Sequence, residues 1–150
     1  MASTNDVARI NEIIKDFLDA YQHRDIEALG AAVANDEQFI AFGTDEGEIW
    51  HGWTSFKSAA EKLFGAMEEI HWERGKTPFV NFSRDGSVAW FAEELEGCFV
   101  TFGEKHACKF RFSGVAERKN DGWKIVQFHR SVPVEDHAVP YLETHGVRFD

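Results

Sequence analysis

Asn120-Asp121-Gly122-Trp123-Lys124-Ile125-Val126-Gln127-Phe128-His129-Arg130-Ser131 is the stretch on which the reading of the fold turns. Its first three residues tolerate the backbone conformations of a tight hairpin turn. Residues 123–131 then alternate in polarity, the period of a strand with one buried face. One face holds Val126, Phe128 and Arg130; the other holds Ile125, Gln127, His129 and Ser131. A hairpin turn needs a strand before it, and residues 106–118 carry the same period. Working back, strands are expected near 88–96, 77–82 and 70–74, with Arg84-Asp85-Gly86-Ser87 as a second turn.

Further back the period changes from two to about 3.6. Val7, Ile10, Ile13, Ile14, Phe17, Leu18 and Tyr21 form one apolar stripe, predicting a helix over about residues 6–23, with Thr4, Asn5 and Asp6 offering N-cap oxygens. A shorter helix follows Asp25 with Ile26, Leu29 and Val33. A third begins near Thr54 or Ser55 and buries Phe56, Ala59, Ala60, Leu63, Phe64 and Met67. Between them, residues 39–42 read as a short strand, and residues 43–52 as a loop or a hairpin with a strand around Ile49. Helices first and consecutive strands after them argue for an α+β fold, with helices covering one face of a largely antiparallel sheet. A doubly wound fold would alternate the two, and no glycine-rich phosphate loop is present.

The 150 residues suit one domain, with residues 132–150 as a tail. At 43% hydrophobic residues the chain is too apolar for disorder, and no apolar run approaches the roughly 20 residues that cross a bilayer. The first residues lack the pattern of a signal peptide, so a soluble cytoplasmic protein is expected. The net charge is -10, and the first 50 residues carry 11 acidic against 3 basic side chains, which disfavours nucleic acid as a partner. Cys98 and Cys108 form no C-x-x-C pair and are expected to be reduced. The 7 histidines form neither H-x-H nor H-x-x-x-H, so no metal and no cofactor is expected.

The element order and two runs resemble the SnoaL-like branch of the nuclear-transport-factor-two-like superfamily, which includes the ketosteroid isomerases. The runs are Gly43-Thr44-Asp45 with Glu48-Ile49-Trp50 and Gly52, and the stretch from Asp121 to Ser131. The second run is also similar to the terminal strand of the association domain of calcium/calmodulin-dependent kinases. The resemblance implies a cone: a strongly curved sheet closed by helices around an open-ended pocket, with homodimers formed through the outer sheet face. It also implies that Arg130 points inward and His129 outward, and it favours Trp90 and Glu94 as inward, with Arg111 sharing the wall.

These placements nominate the site. Arg130 and Arg111 present planar forks suited to a carboxylate, unless each pairs with an internal acid such as Glu94 or Asp45. Trp90 and Trp50 would pack against the apolar part of a ligand, with Trp53 and Trp72 as further walls. Asp45 and Glu94, and beside them Glu48 and Glu93, are candidate general bases, since a carboxylate in an apolar cavity is held nearer neutrality. The superfamily's steroid isomerase pairs an aspartate base with acidic hydrogen-bond donors; here Tyr21 is the nearest candidate donor. The expected function is binding of a small, plausibly anionic organic molecule. The alternatives are a cofactor-independent isomerase, cyclase or dehydratase with Asp45 or Glu94 as base, and a dimeric interaction module without ligand.

Overall fold

A computed structural model describes residues 3–75, 78–135 and 138–148. The first helix, α1 (Thr4–His23), starts one residue earlier than the candidate caps suggest. Ser3 is its N-cap, and Ser3 and Asp6 close a reciprocal capping box. The apolar stripe is buried as expected: Ile10, Ile13, Ile14, Phe17, Leu18 and Tyr21 all lie in the core. Arg24, in the left-handed conformation (φ 52°), ends α1 and donates its backbone N–H to the last turn. Asp25 then caps α2 (Ile26–Ala32) by accepting from Ala28 N–H.

Two short strands, β1 (Ile40–Phe42) and β2 (Ile49–His51), form the hairpin left open above. They lead into α3 (Trp53–Ala66), β3 (Glu69–Arg74), β4 (Phe79–Phe82), β5 (Val88–Thr101), β6 (Glu104–Lys119) and β7 (Gly122–Ser131). Thr77, expected to open the fourth strand, lies outside the described residues. The sheet has the order β2-β1-β7-β6-β5-β3, with β4 also paired to β5. Every pairing is antiparallel except β1 with β7. This is the α+β cone: helices packed inside a curved, mostly antiparallel sheet.

Strands β5 and β6 run past their expected ends into one long hairpin, turned at Phe102 and Gly103, both at positive φ (49° and 74°). That is the backbone of a two-residue primed turn. A bulge at Val115/Ala116 leaves Val126 as the extra residue of β7. It changes the parity of the strand, so Ile125 and Phe128 both face inward and are fully buried.

The interior is aromatic. Phe17 lies 5.2 Å from the rings of Tyr21, Phe112 and Phe128, and Phe56 lies 5.2–5.3 Å from Phe39 and Phe128. Phe91 packs on Gly114, where a Cβ would come within 2.6 Å of its ring, so only glycine fits. Phe17, Phe39, Phe56, Phe112 and Phe128 are each at most 1% exposed. Each such burial contributes on the order of 2–3 kcal/mol. These rings pack against one another in the depth of the cone. The tail forms α4 (Ala138–Thr144), which buries none of its residues.

Candidate functional site

The register decides which side chains face the interior. In β5 the inward residues are Ala89, Phe91, Glu93 and Leu95, opposite Ala116, Gly114, Phe112 and Phe110 of β6. The inward assignment of Trp90 and Glu94 is therefore corrected. Trp90 is 41% exposed on the outer face and Glu94 is exposed beside it. Arg111 sits opposite Glu94 and is exposed on the same outer face, so it does not share a wall with Arg130. The cause is periodicity: alternation makes two faces, and the helices cover the one with Phe91 and Leu95.

Arg130 does face inward. Its cross-strand partner is Phe112, and it follows Phe128 by two positions. His129 is exposed on the opposite face against the Phe42 ring, 5.5 Å away. The Arg130 guanidinium lies 5.2 Å from the centre of the Tyr21 ring and 5.3 Å from that of Phe128, within cation–π range. Its Nε is buried and has no hydrogen-bond partner. Among the described residues Arg130 takes part in no ion pair, so neither Asp45 nor Glu94 is its counter-ion.

Glu48 joins this group through the β1–β2 hairpin. Phe42 pairs with Ile49, so Gly43 and Glu48 come next and share a face; Gly43 N–H donates to Glu48 C=O at 2.8 Å. Phe42 also pairs with His129 in β7, so the next residues along those two strands are Gly43 and Arg130. Ala41 and Phe128, two residues earlier, are opposite each other and fully buried, which sets the parity of Gly43 and Arg130 as inward. The Glu48 carboxylate fills the space a Gly43 side chain would need. A Cβ there would lie 1.8 Å from Glu48 Oε2. The same oxygen accepts from Asp45 N–H at 3.3 Å.

Tyr21 completes the cluster. Burial pushes its phenol pKa up; Arg130 opposes this through its charge and hydrogen bonding, and the Glu48 charge adds to the rise. The arrangement gathers a cation, an anion and a phenol that stays protonated at neutral pH. Trp50 lies close by on β2, half-buried, with its ring 5.4 Å from Phe56. Asp45 stays exposed on the hairpin loop, where its main chain, not its carboxylate, shapes the turn.

Glu93 has a different task. Its side chain is 1% exposed and receives Arg74 Nε and Nη2 at 2.9–3.2 Å, while Arg74 also donates to Asn11 of α1. This ion pair ties α1 to the sheet and engages both Glu93 oxygens with Arg74, a structural use of the carboxylate. Trp72 packs on Phe110 (5.0 Å) and Trp53 on Phe56 (6.0 Å) as core edges. A cleft of about 720 Å³ lies between α1, α2 and the β6–β7 turn, with Asp16, Ala28, Arg118 and Trp123 in its walls. It is open and of mixed charge, and it contains none of the residues gathered around Arg130. Cys98 and Cys108 are free thiols on opposite faces of the β5–β6 pair. Among the described residues no group of three or more His, Cys, Asp or Glu could hold a metal ion, and no helix is long and apolar enough to cross a membrane.

Alternation found Arg130, and the resemblance gave its direction. The partnership with Glu48 and Tyr21 could not be read from local pattern, because the three residues lie on a terminal strand, a hairpin loop and the first helix. The one local signal is Gly43-Thr44-Asp45 followed by Glu48, where a glycine leaves room for a carboxylate on the facing strand.

The architecture is that of a small α+β domain with the cone fold of the nuclear transport factor 2-like proteins. A model of the SnoaL-like domain family matches residues 10–135, and the chain belongs to that family. Solved structures agree in fold. A nuclear transport factor 2-like superfamily protein from Salmonella enterica superposes with a TM-score of 0.83 at 17% identity, over 92% of this chain and 98% of that one. A structure from Streptomyces avermitilis, described as a candidate dehydratase of the same family, gives 0.79 at 14% identity, over 89% and 100%. One from Xanthomonas campestris, described as a candidate calcium/calmodulin-dependent protein kinase II association domain, gives 0.72 at 16% identity, over 91% of each chain. No curated protein matches the chain.

Proposed function

We propose that this domain binds a small organic carboxylate at the open end of its cone, with Arg130 as the anion anchor. The observation that carries the reading is an inward-facing guanidinium, half-buried and within cation–π range of Tyr21 and Phe128, with no acidic partner among the described residues. A guanidinium removed from bulk water is costly unless an anion or hydrogen-bond acceptor compensates it. A ligand carboxylate supplies both. The aromatic filling of the cone restricts the ligand to its mouth, which favours a molecule of a few carbon atoms over a large polycyclic one. Thermal shift against a panel of short-chain carboxylates tests this, because a ligand that binds only the folded state raises its melting temperature. The expected result is a concentration-dependent rise in the wild type that Arg130→Ala abolishes. An equal response of both proteins removes Arg130 from the role.

We also propose that the working unit is a homodimer joined through the outer sheet face. Phe79, Ala92, Ser113, His129, Phe42 and Ile49 form one row across six strands, with Phe79 53%, Ile49 49% and Phe42 37% exposed, and Trp90 adjoins it. Large apolar side chains left exposed at both ends of this row, with Trp90 beside it, support its use as an interaction surface. The association-domain names of similar structures support self-association as its use. In sedimentation equilibrium the wild type is expected at twice the monomer mass and Trp90→Glu at the monomer mass. A monomeric wild type at micromolar concentration overturns the proposal.

A further inference from the structure

Opposite charges brought side by side in a poorly hydrated place normally pair directly. Here they do not. Gly43 and Arg130 each follow the last paired residues of β1 and β7, Phe42 and His129, and the Glu48 carboxylate occupies the space a Gly43 side chain would need. Yet neither Glu48 nor Arg130 enters an ion pair among the described residues. Each is held by something else. Glu48 is fixed by Asp45 N–H and by the slot that the missing Gly43 side chain opens. Arg130 is held by the faces of Tyr21 and Phe128.

From this separated pair we infer that the ligand is a zwitterion, a small amino acid whose carboxylate meets Arg130 and whose ammonium group meets Glu48. The inference rests on the carboxylate reading above and adds a second contact of opposite sign. A bare carboxylate would satisfy Arg130 and leave Glu48 facing added negative charge. A bare amine would do the reverse. A molecule carrying both charges a few bonds apart compensates each group without requiring either side chain to leave its support.

Isothermal titration with two matched series tests the inference: the unbranched ω-amino acids of two to five carbons, and the unsubstituted acids of the same lengths. The expected result is that one amino acid binds the wild type at least tenfold more tightly than the acid of equal length. Glu48→Gln should erase that preference while still binding the simple acid, and Arg130→Ala should bind neither. Circular dichroism melting of both variants establishes that they are folded. If the simple acids bind as well as or better than the amino acids, the zwitterion inference is overturned and the carboxylate reading stands. If no member of either series binds, both are overturned.

Discussion

Removing Glu93 is the sharpest test of how this cone is held shut. The carboxylate is 1% exposed and accepts three contacts from Arg74, at 3.2 and 3.1 Å from Nε and 2.9 Å from Nη2. Arg74 is 26% exposed and makes two further bonds, to Asn11 C=O and Asn11 Oδ1, at 3.2 and 3.0 Å. Breaking a buried pair from one side costs about 3–5 kcal/mol, because the surviving charge stays buried. Here water reaches part of Arg74 and Asn11 still satisfies two of its donors, so the low end applies: about 3 kcal/mol for Glu93→Ala. In a chain of this size that corresponds to a melting temperature lower by roughly 6–12 °C. Urea unfolding followed by circular dichroism measures the loss. The double variant Arg74→Leu/Glu93→Met should recover most of it, since apolar replacement of both partners removes the orphaned charge. A loss below about 1 kcal/mol in the single variant, or a double variant no more stable than the single, would refute the claim that this pair locks α1 to the sheet.

Other outcomes follow from local geometry. Phe102 sits at φ 49° in the β5–β6 turn with 91% of its surface exposed, so Phe102→Asn should gain about 0.5–1 kcal/mol in urea unfolding by relieving backbone strain without losing a packed ring. Phe128→Ala removes a ring in contact with Phe17, Phe39, Phe56 and Phe112 and should cost about 3–5 kcal/mol in the same assay. Gly43→Ala drives a Cβ into the Glu48 carboxylate; titration of the variant should show the amino-acid preference falling to that of Glu48→Gln while the fold persists by circular dichroism. Asp85 receives the Ser83 hydroxyl and then the Ser87 N–H and hydroxyl, which hold its pKa at about 2 against an ordinary 3.8. Because the folded value is depressed, its contribution to stability is complete above the ordinary value and is lost as pH falls toward about 2. Carbon-detected NMR titration should place the Asp85 midpoint near the lower figure, and a midpoint at the ordinary carboxylate value contradicts the assignment.

Hydrophobic periodicity was enough to order the elements. The 3.6-residue stripe from Ile10 to Tyr21 and the two-residue alternation from Val88 onward each describe a surface that must be covered, and covering one with the other yields helices on a sheet. The resemblance carried by residues 121–131 added the cone and the direction of Arg130. Local pattern could not rank the two faces of β5, since Trp90-Ala92-Glu94 and Phe91-Glu93-Leu95 are equally regular; only the position of α1 selects the second. Nor could it find the Val126 bulge, because an extra residue in a strand changes no composition. It also stopped β5 at Glu96, because Gly97 and Cys98 interrupt the alternation, and the Phe102-Gly103 turn lacks the usual Asn or Asp.

The chain by itself therefore determined which segments are helix and which are strand, because that is set by contacts between near neighbours along the backbone. Tertiary structure alone decided that Tyr21, Glu48 and Arg130 share one end of the cone, and that Trp90, Glu94 and Arg111 do not. Burial is a property of what lies across a gap in space, and here it brings Arg130 to residues 82 and 109 positions earlier in the chain, Glu48 and Tyr21.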